Sequence, residues 1–376
     1  MMISSLPRHL APPRLRPTRF EDYPRIQQLE AAHLPTTQPA DEWPCLWLDN
    51  PLWPRLGSHW PIGWVLEDAS GRVVGSLTSF PALYRFRGQE LVCANTRVWV
   101  VSLEYRSFAP WLIEEFLNQP GVDLFLGTTA NQNAAPIFSS FATRVPVGDW
   151  ETIAYRISGY RRFVRKTLQK RGMPLAGAVA LPVSAALWLK DALFTRPLPP
   201  RLSGVVVTAA EGFDSRFDLF WDELVRQNPD KLLAARDSRS LAWHYAIAMR
   251  KGRLSILTAV RNGLLRAYCV LHREEWTDGL RHLSVFDYQT VEPEVDLLPQ
   301  LLRAALQQCA AQGFDVLEHH GCGLPKMRSF DQFARYRWKL PSWPFYYHAA
   351  NPELAAELRR PEVWDPSTFD GDASIG

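Results

Sequence analysis

The sequence predicts an α/β fold in two successive units, the second repeating the plan of the first. Three observations lead there. The first half orders its elements as strand, helices, three strands, helix, strand, helix, strand. The second half runs through a similar order without matching residue identity, which is what a tandem pair of domains leaves in a sequence. Between them, from about 160 to 200, a basic run is followed by an apolar one. A chain of 376 residues suits two domains and a connector. The expected division is 13–160, a connector at 161–200, a second unit at 201–350 and a tail at 351–376.

In the first unit, residues 15–30 begin extended and turn helical. Asp22 is placed to accept from the first helical amides, and Ile26 and Leu29 share one face. Strands at 63–68 and 73–86 flank the turn Ala69-Ser70-Gly71, and a third covers about 92–103. A helix at about 109–118, an apolar strand at 122–129, a helix at about 134–141 and a strand at 151–158 complete the unit. The second unit opens with a strand from 203, a helix near 217–225 and a helix start at 236–245. Strands at 254–260, 264–272 and 281–287 follow, then an amphipathic helix at 294–312, a strand at 314–320 and a short helix at 326–336. Extended aromatic segments at 337–348 close it.

Composition narrows the function classes. Hydrophobic residues at 47% supply two cores, and a net charge of +3 is too small to imply a DNA partner. Five cysteines (Cys45, Cys93, Cys269, Cys309, Cys322) include no C-x-x-C pair, which argues against a disulfide framework or a metal site and for a reducing, cytoplasmic location. The amino terminus lacks a secretory pattern, and Pro174 and Pro182 interrupt the apolar run, so no membrane span is expected. The segment 161–171 nevertheless carries six basic residues and no acid. Beside the apolar run to 189, it suits peripheral contact with an anionic inner-membrane surface; an RNA backbone or a plain packing connector would suit it too.

Three places in the first unit resemble the GNAT acyltransferases. They are Leu15-Arg16-Pro17 with Asp22, the run from Glu104 through Arg106, Ser107, Phe108 and Ala109 to Leu112, and the late set Asn131, Ala134, Ile137, Phe138, Phe141 and Ala142. The resemblance implies two tandem GNAT-like domains, each a mixed twisted sheet flanked by helices, and acyl-coenzyme A as donor. Arg106, Ser107, Phe108 and Ala109 would form its phosphate loop, where backbone amides and a helix N-terminus hold a pyrophosphate. Here Ala109 replaces a glycine and Pro110 lacks an N–H. Phe138 stands where many members carry a tyrosine and cannot donate a proton. Asn131 and Asn133 are candidates for a polar contact with the donor, or for helix capping.

The second unit resembles a wider tandem group that includes the Fem-type aminoacyltransferases and proteins of surface-polysaccharide clusters. Its residues are Arg236-Asp237 with Leu241, Trp243, His244 and Tyr245, the strand ending at Asp287, and Trp364 with Asp370-Gly371-Asp372. No coiled-coil arm interrupts it, which speaks against a transfer-RNA donor. Candidate chemistry lies at strand ends. Asp287 could take a proton from an attacking amine or hydroxyl, with a carboxyl pushed upward by partial burial. His319 and His320 are alternative bases, and only one can face a cleft because strand side chains alternate. His244 and Glu318 are candidate acceptor contacts. The expected function is N- or O-acyl transfer to an amino sugar, or a related group of a small or lipid-linked polysaccharide precursor. The alternatives are a non-catalytic pair that binds a glycan or protein, and an aminoacyl-transfer-RNA-dependent transferase.

Overall fold

The computed structural model describes residues 11–195, 197–276, 279–292 and 295–375. The first half contains β1 (Arg14–Pro17), α1 (Tyr23–His33), two helical turns α2 (Cys45–Leu48) and α3 (Trp53–Leu56), β2 (Gly63–Glu67), β3 (Val73–Phe86) and β4 (Gln89–Val101). It continues with α4 (Ala109–Leu117), β5 (Leu124–Gly127), α5 (Ala135–Phe141), β6 (Thr143–Arg144) and β7 (Asp149–Ile157). Two helices follow, α6 (Tyr160–Lys170) and α7 (Ala176–Phe194). The second half contains β8 (Val205–Ala210), α8 (Ser215–Gln227), β9 (Leu233–Ala234), α9 (Ser238–His244), α10 (Ala246–Arg250), β10 (Leu254–Arg261), β11 (Leu264–Glu275) and β12 (Arg281–Thr290). After these come α11 (Leu298–Gln312), β13 (Val316–Cys322), α12 (Arg328–Phe333), β14 (Tyr336–Lys339), β15 (Tyr346–Ala349) and α13 (Pro352–Glu357).

These strands make two mixed sheets, as expected. The first runs β1-β2-β3-β4-β5-β15-β6, with β9 joined to β3; the second runs β14-β7-β13-β12-β11-β10-β8. The division at 160 does not describe the pairing, however. The expected last strand of the first unit, β7, lies in the second sheet between β13 and β14, and β15 from the second half sits in the first sheet between β5 and β6. The first half thus gives one strand, β7, to the second sheet, and the second half gives two, β9 and β15, to the first. Strand pattern reports burial of faces and is silent about the partner, so the exchange left no mark in the sequence.

In each sheet one parallel pair is short and then splays. β4 pairs β5 only over Cys93–Asn95 with Leu124–Leu126, and β12 pairs β13 over His282–Val285 with Val316–His319. A crevice opens beyond the carboxyl ends of such strands. In the second sheet the chain's own tail closes it. Thr368 Oγ1 donates to the Phe286 carbonyl at 2.6 Å, Ser367 Oγ donates to Asp287, and Phe369 is buried. The tail then crosses to the first half. Tyr84 donates to Asp370, Thr128 and Thr129 donate to Asp372, and the Arg97 guanidinium donates to the Ile375 carbonyl at 2.7 Å. At Gly371, φ is +95° and a Cβ would lie 2.2 Å from Thr128 Oγ1, so only glycine lets the tail pass this strand end.

Two local expectations need correction. Asp22 does not cap α1; it accepts from Arg16 at 2.7 Å and pairs with Arg25, fixing β1 to the helix start. Pro182 does not break the apolar run but lies inside α7, on its exposed side, where the missing N–H strands no buried group. Among the described residues α7 is the one helix long and apolar enough to cross a membrane, and 17% of its apolar window is buried.

Candidate functional site

In the first sheet the splay beyond Asn95 and Leu126 stays open. Val98 is a bulge: Leu77 faces Trp99 and Thr78 faces Arg97, leaving Val98 as the extra residue with φ +42°. The bulge separates two cavities that share Leu34 in their walls.

The smaller cavity, about 190 Å³, is a groove bounded by Trp99, Arg106, Ala109, Asn131, Asn133 and Ile137. Four of the residues expected to contact a donor therefore meet in one place. Arg106 is exposed and has no acidic partner among the described residues. The buried Trp99 indole N–H also lacks a partner. Asn131 serves as a turn former, its Oδ1 accepting from the amides of Asn133 and Ala134 at 2.9 and 3.0 Å. Ser107 and Phe108 fall outside the groove; Phe108 packs edge-on against Trp111. In place of a glycine-rich loop, a 3-10 turn at Leu103–Phe108 leads directly into α4. Phe138 is core, edge-on to Trp99 and stacked on Tyr346. Its ring lies so near Gly127 that a Cβ there would approach it to 2.9 Å.

The larger cavity, about 710 Å³, lies on the other side of the bulge and joins both halves. Glu30, Trp43, Thr78 and Arg97 come from the first half, and Lys251, Arg253 and Trp343 from the second. Glu30 is 3% exposed, and burial pushes its carboxyl up to about 7, an effect partly offset by the Arg97 guanidinium. Sequence reading passed over this residue, yet a signal existed. Tyr23, Ile26 and Glu30 fall at i, i+3 and i+7 on the buried stripe of α1, a place for an apolar side chain.

The residues expected to act in the second half are placed differently. Asp287 is fully buried. Arg236 Nε donates to its Oδ2 at 2.9 Å and Arg236 Nη2 to its Oδ1 at 3.2 Å; Tyr268 and Ser367 each add a bond of 2.7 Å. Both oxygens are thus engaged. Burial alone would raise this carboxyl, but the Arg236 cation outweighs it and holds it below the usual carboxylate range. The expected upward shift is corrected to a downward one, because the partner 51 positions away was not foreseen. Glu318 is buried and accepts from Ser284 at 2.9 Å and meets His282 at the same distance. His244 bonds Ser374 Oγ and is pushed down to about 3 by burial, so it is neutral at pH 7.

As strand alternation requires, the two histidines of β13 point apart. His319 turns to α12, its Nε2 at 3.0 Å from Asp331 and its Nδ1 at 3.0 Å from the His320 carbonyl. His320 stacks on Trp343, a wall of the larger cavity, and burial lowers its pKa. His319, Cys322 and Asp331 bring ligand-type atoms within 4.8 Å of one another. Both nitrogens of His319 are already bonded and burial pushes the Cys322 thiol up to about 12, so the trio reads as a hydrogen-bonded turn.

No protein-family model matches the sequence, and no curated protein sequence is similar to it. Solved structures are similar in fold. Saccharomyces cerevisiae N-myristoyltransferase with bound myristoyl-CoA superposes with a TM-score of 0.54 at 12% identity, over 92% of this chain and 81% of that one. The same enzyme with myristoyl-CoA and inhibitors gives 0.53 at 12% identity, over 92% and 83%. A GCN5-related N-acetyltransferase from Anabaena variabilis gives 0.52 at 11% identity, over 90% and 73%. The chain therefore shares the overall fold of these structures, with its own strands in two mixed sheets flanked by helices.

Proposed function

We propose that this protein is an acyl-coenzyme A-dependent N- or O-acyltransferase whose reaction takes place at the β4 bulge of the first half. The observation that carries this reading is the pair of cavities on either side of the bulge, one with a free cation and an unpartnered indole N–H, the other with a buried carboxyl. The residues present fit a phosphorylated thioester donor in the smaller groove: Arg106 would meet a phosphate, and the Trp99 N–H would meet an acceptor atom of the donor. The donor would supply an activated acyl group: the new N–C or O–C bond forms as its C–S bond breaks, and the coenzyme A thiolate leaves and takes a proton from solvent, since Phe138 has none to give.

The chain's own contribution begins with Glu30. With a carboxyl near pH 7 it is about half ionised at neutrality, and it removes a proton from an acceptor amine or hydroxyl held in the larger cavity. Arg97 and Arg253, on that cavity's wall, would orient a polar acceptor. A volume of about 710 Å³ admits a molecule of sugar size, and an amino sugar of a polysaccharide precursor remains our choice of acceptor. His320 stacks on the face of Trp343 and supports that wall of the cavity.

The non-catalytic reading applies to the second half alone, since the tail fills its splay and Arg236 neutralises Asp287. Calorimetry with acetyl-coenzyme A and longer acyl thioesters tests the proposal. Saturable binding that weakens in Arg106→Ala supports it, and no binding of any acyl thioester would reject it.

A further inference from the structure

We propose that the α6–α7 hairpin docks this protein onto an anionic lipid surface, with α7 lying along the interface and α6 supplying the charge. The inference stands apart from the acyl-transfer reading. On α7 the buried residues are Ala176, Ala180, Ser184 and Asp191, a single stripe at steps of four, four and seven. The rest of the helix, apart from the exposed Lys190, is apolar and largely open. Leu181, Trp188, Leu189, Leu193 and Phe194 are between 52% and 71% exposed, and Leu175 at the turn is 79% exposed. A helix on a water-facing surface carries polar residues on its outer face. Here the outer face is the apolar one, and apolar contiguity on this scale marks a contact surface.

Charge names the occupant. Arg161, Arg165, Lys170 and Arg171 are exposed on or just after α6. The only carboxylate between 160 and 194 is Asp191, which is buried and accepts from the Tyr160 and Tyr336 hydroxyls at 2.9 and 2.6 Å. No exposed acid on the hairpin would repel anionic headgroups. Pairing two copies through this face would bring the basic helices together with no acid to offset them. The Asp191 contacts also fix the last turn of α7 to β14, so the helix lies on a bilayer with its stripe still packed, and does not cross it. Each added base strengthens attachment to an anionic surface several-fold, and salt weakens it.

The test is flotation of the full chain with vesicles of phosphatidylcholine, with and without phosphatidylserine. Binding is expected only with phosphatidylserine, at low salt, and should fall at least tenfold at high salt. Leu189→Glu with Leu193→Glu, and separately Arg161→Glu with Arg165→Glu, should each reduce binding at least tenfold. These sites are exposed, so thermal melting should not change. Tryptophan emission should shift to the blue on binding in the wild type but not in Trp188→Phe. Failure to float with phosphatidylserine at low salt overturns the proposal. Equal binding to both vesicle types overturns the charge argument. A dimer in sedimentation that Leu189→Glu with Leu193→Glu dissociates, without vesicle binding, would assign the face to a second copy instead.

Discussion

Replacing Glu30 by Gln separates a catalytic carboxyl from a structural one. Burial raises the Glu30 carboxyl from 4.5 to about 7, with Arg97 opposing. The folded protein thus holds this proton more tightly than the unfolded chain does. The stability this group contributes is complete below pH 4.5 and is lost as pH rises through about 7. At 1.4 kcal/mol per tenfold change in acidity, the loss is at most about 3 kcal/mol, reached near pH 8. Gln fills the same space without the charge. Glu30→Gln should therefore melt like wild type near pH 5 and be more stable than wild type near pH 8, by up to about 3 kcal/mol. Its turnover should move the other way, falling about a hundredfold or more. The wild-type rate should rise with pH through about 7 and then level, since the base acts only when ionised, and the residual rate of the variant should lack that rise. Melts by circular dichroism at the two pH values and an acyl-transfer assay across the range read both effects. A variant with near-normal turnover refutes the general-base role; one no more stable than wild type at pH 8 refutes the buried carboxyl itself.

Arg106→Ala should weaken acyl-coenzyme A binding by about 1–3 kcal/mol in calorimetry without altering the melt, because the side chain is exposed and has no acidic partner among the described residues. Asp287→Asn should leave the fully buried Arg236 cation poorly compensated and lower stability by about 3 kcal/mol or more in urea unfolding. Donor affinity of the folded fraction should hold. Residues 13–160 expressed alone should give a chain without cooperative melting, because β15 is missing from its sheet and β7 has no partner strand; a soluble, sharply melting fragment would refute the interdependence of the halves.

Most element positions were legible because burial on one face imposes its period on the sequence. The strand at 73–86 was read to its ends, and the helix at 109–118 and the strand at 281–287 lie within three residues of α4 and β12. Half of the site was legible for the same reason: Arg106, Ala109, Asn131 and Asn133 follow a local order of loop and helix that fixes their place. What depended on distant partners was not. Asp287 reads as a strand-end carboxylate until Arg236 is seen beside it, and β7 and β15 read as terminal strands of whichever unit precedes them. Glu30 looks like an ordinary acid in a last helical turn. Its neighbours on the cavity wall, from the segment 34–43 and Arg97, are not contained in the local pattern.

The exchanged strands and the crossing tail have a consequence for the order of biosynthesis. Arg97, at the bulge where the two cavities meet, is bonded to a carbonyl 278 positions later, and β5 waits for β15 before its second edge is paired. Contacts of that separation form late, since the chain entropy of closing so long a loop must be overcome first. During translation the first sheet would stand with an unpaired interior edge, a state open to aggregation and to chaperone capture. A ribosome that stalls before residue 346 therefore releases a product that cannot assemble the cleft. Assembly of the cleft is in this way coupled to synthesis of the chain through Ile375.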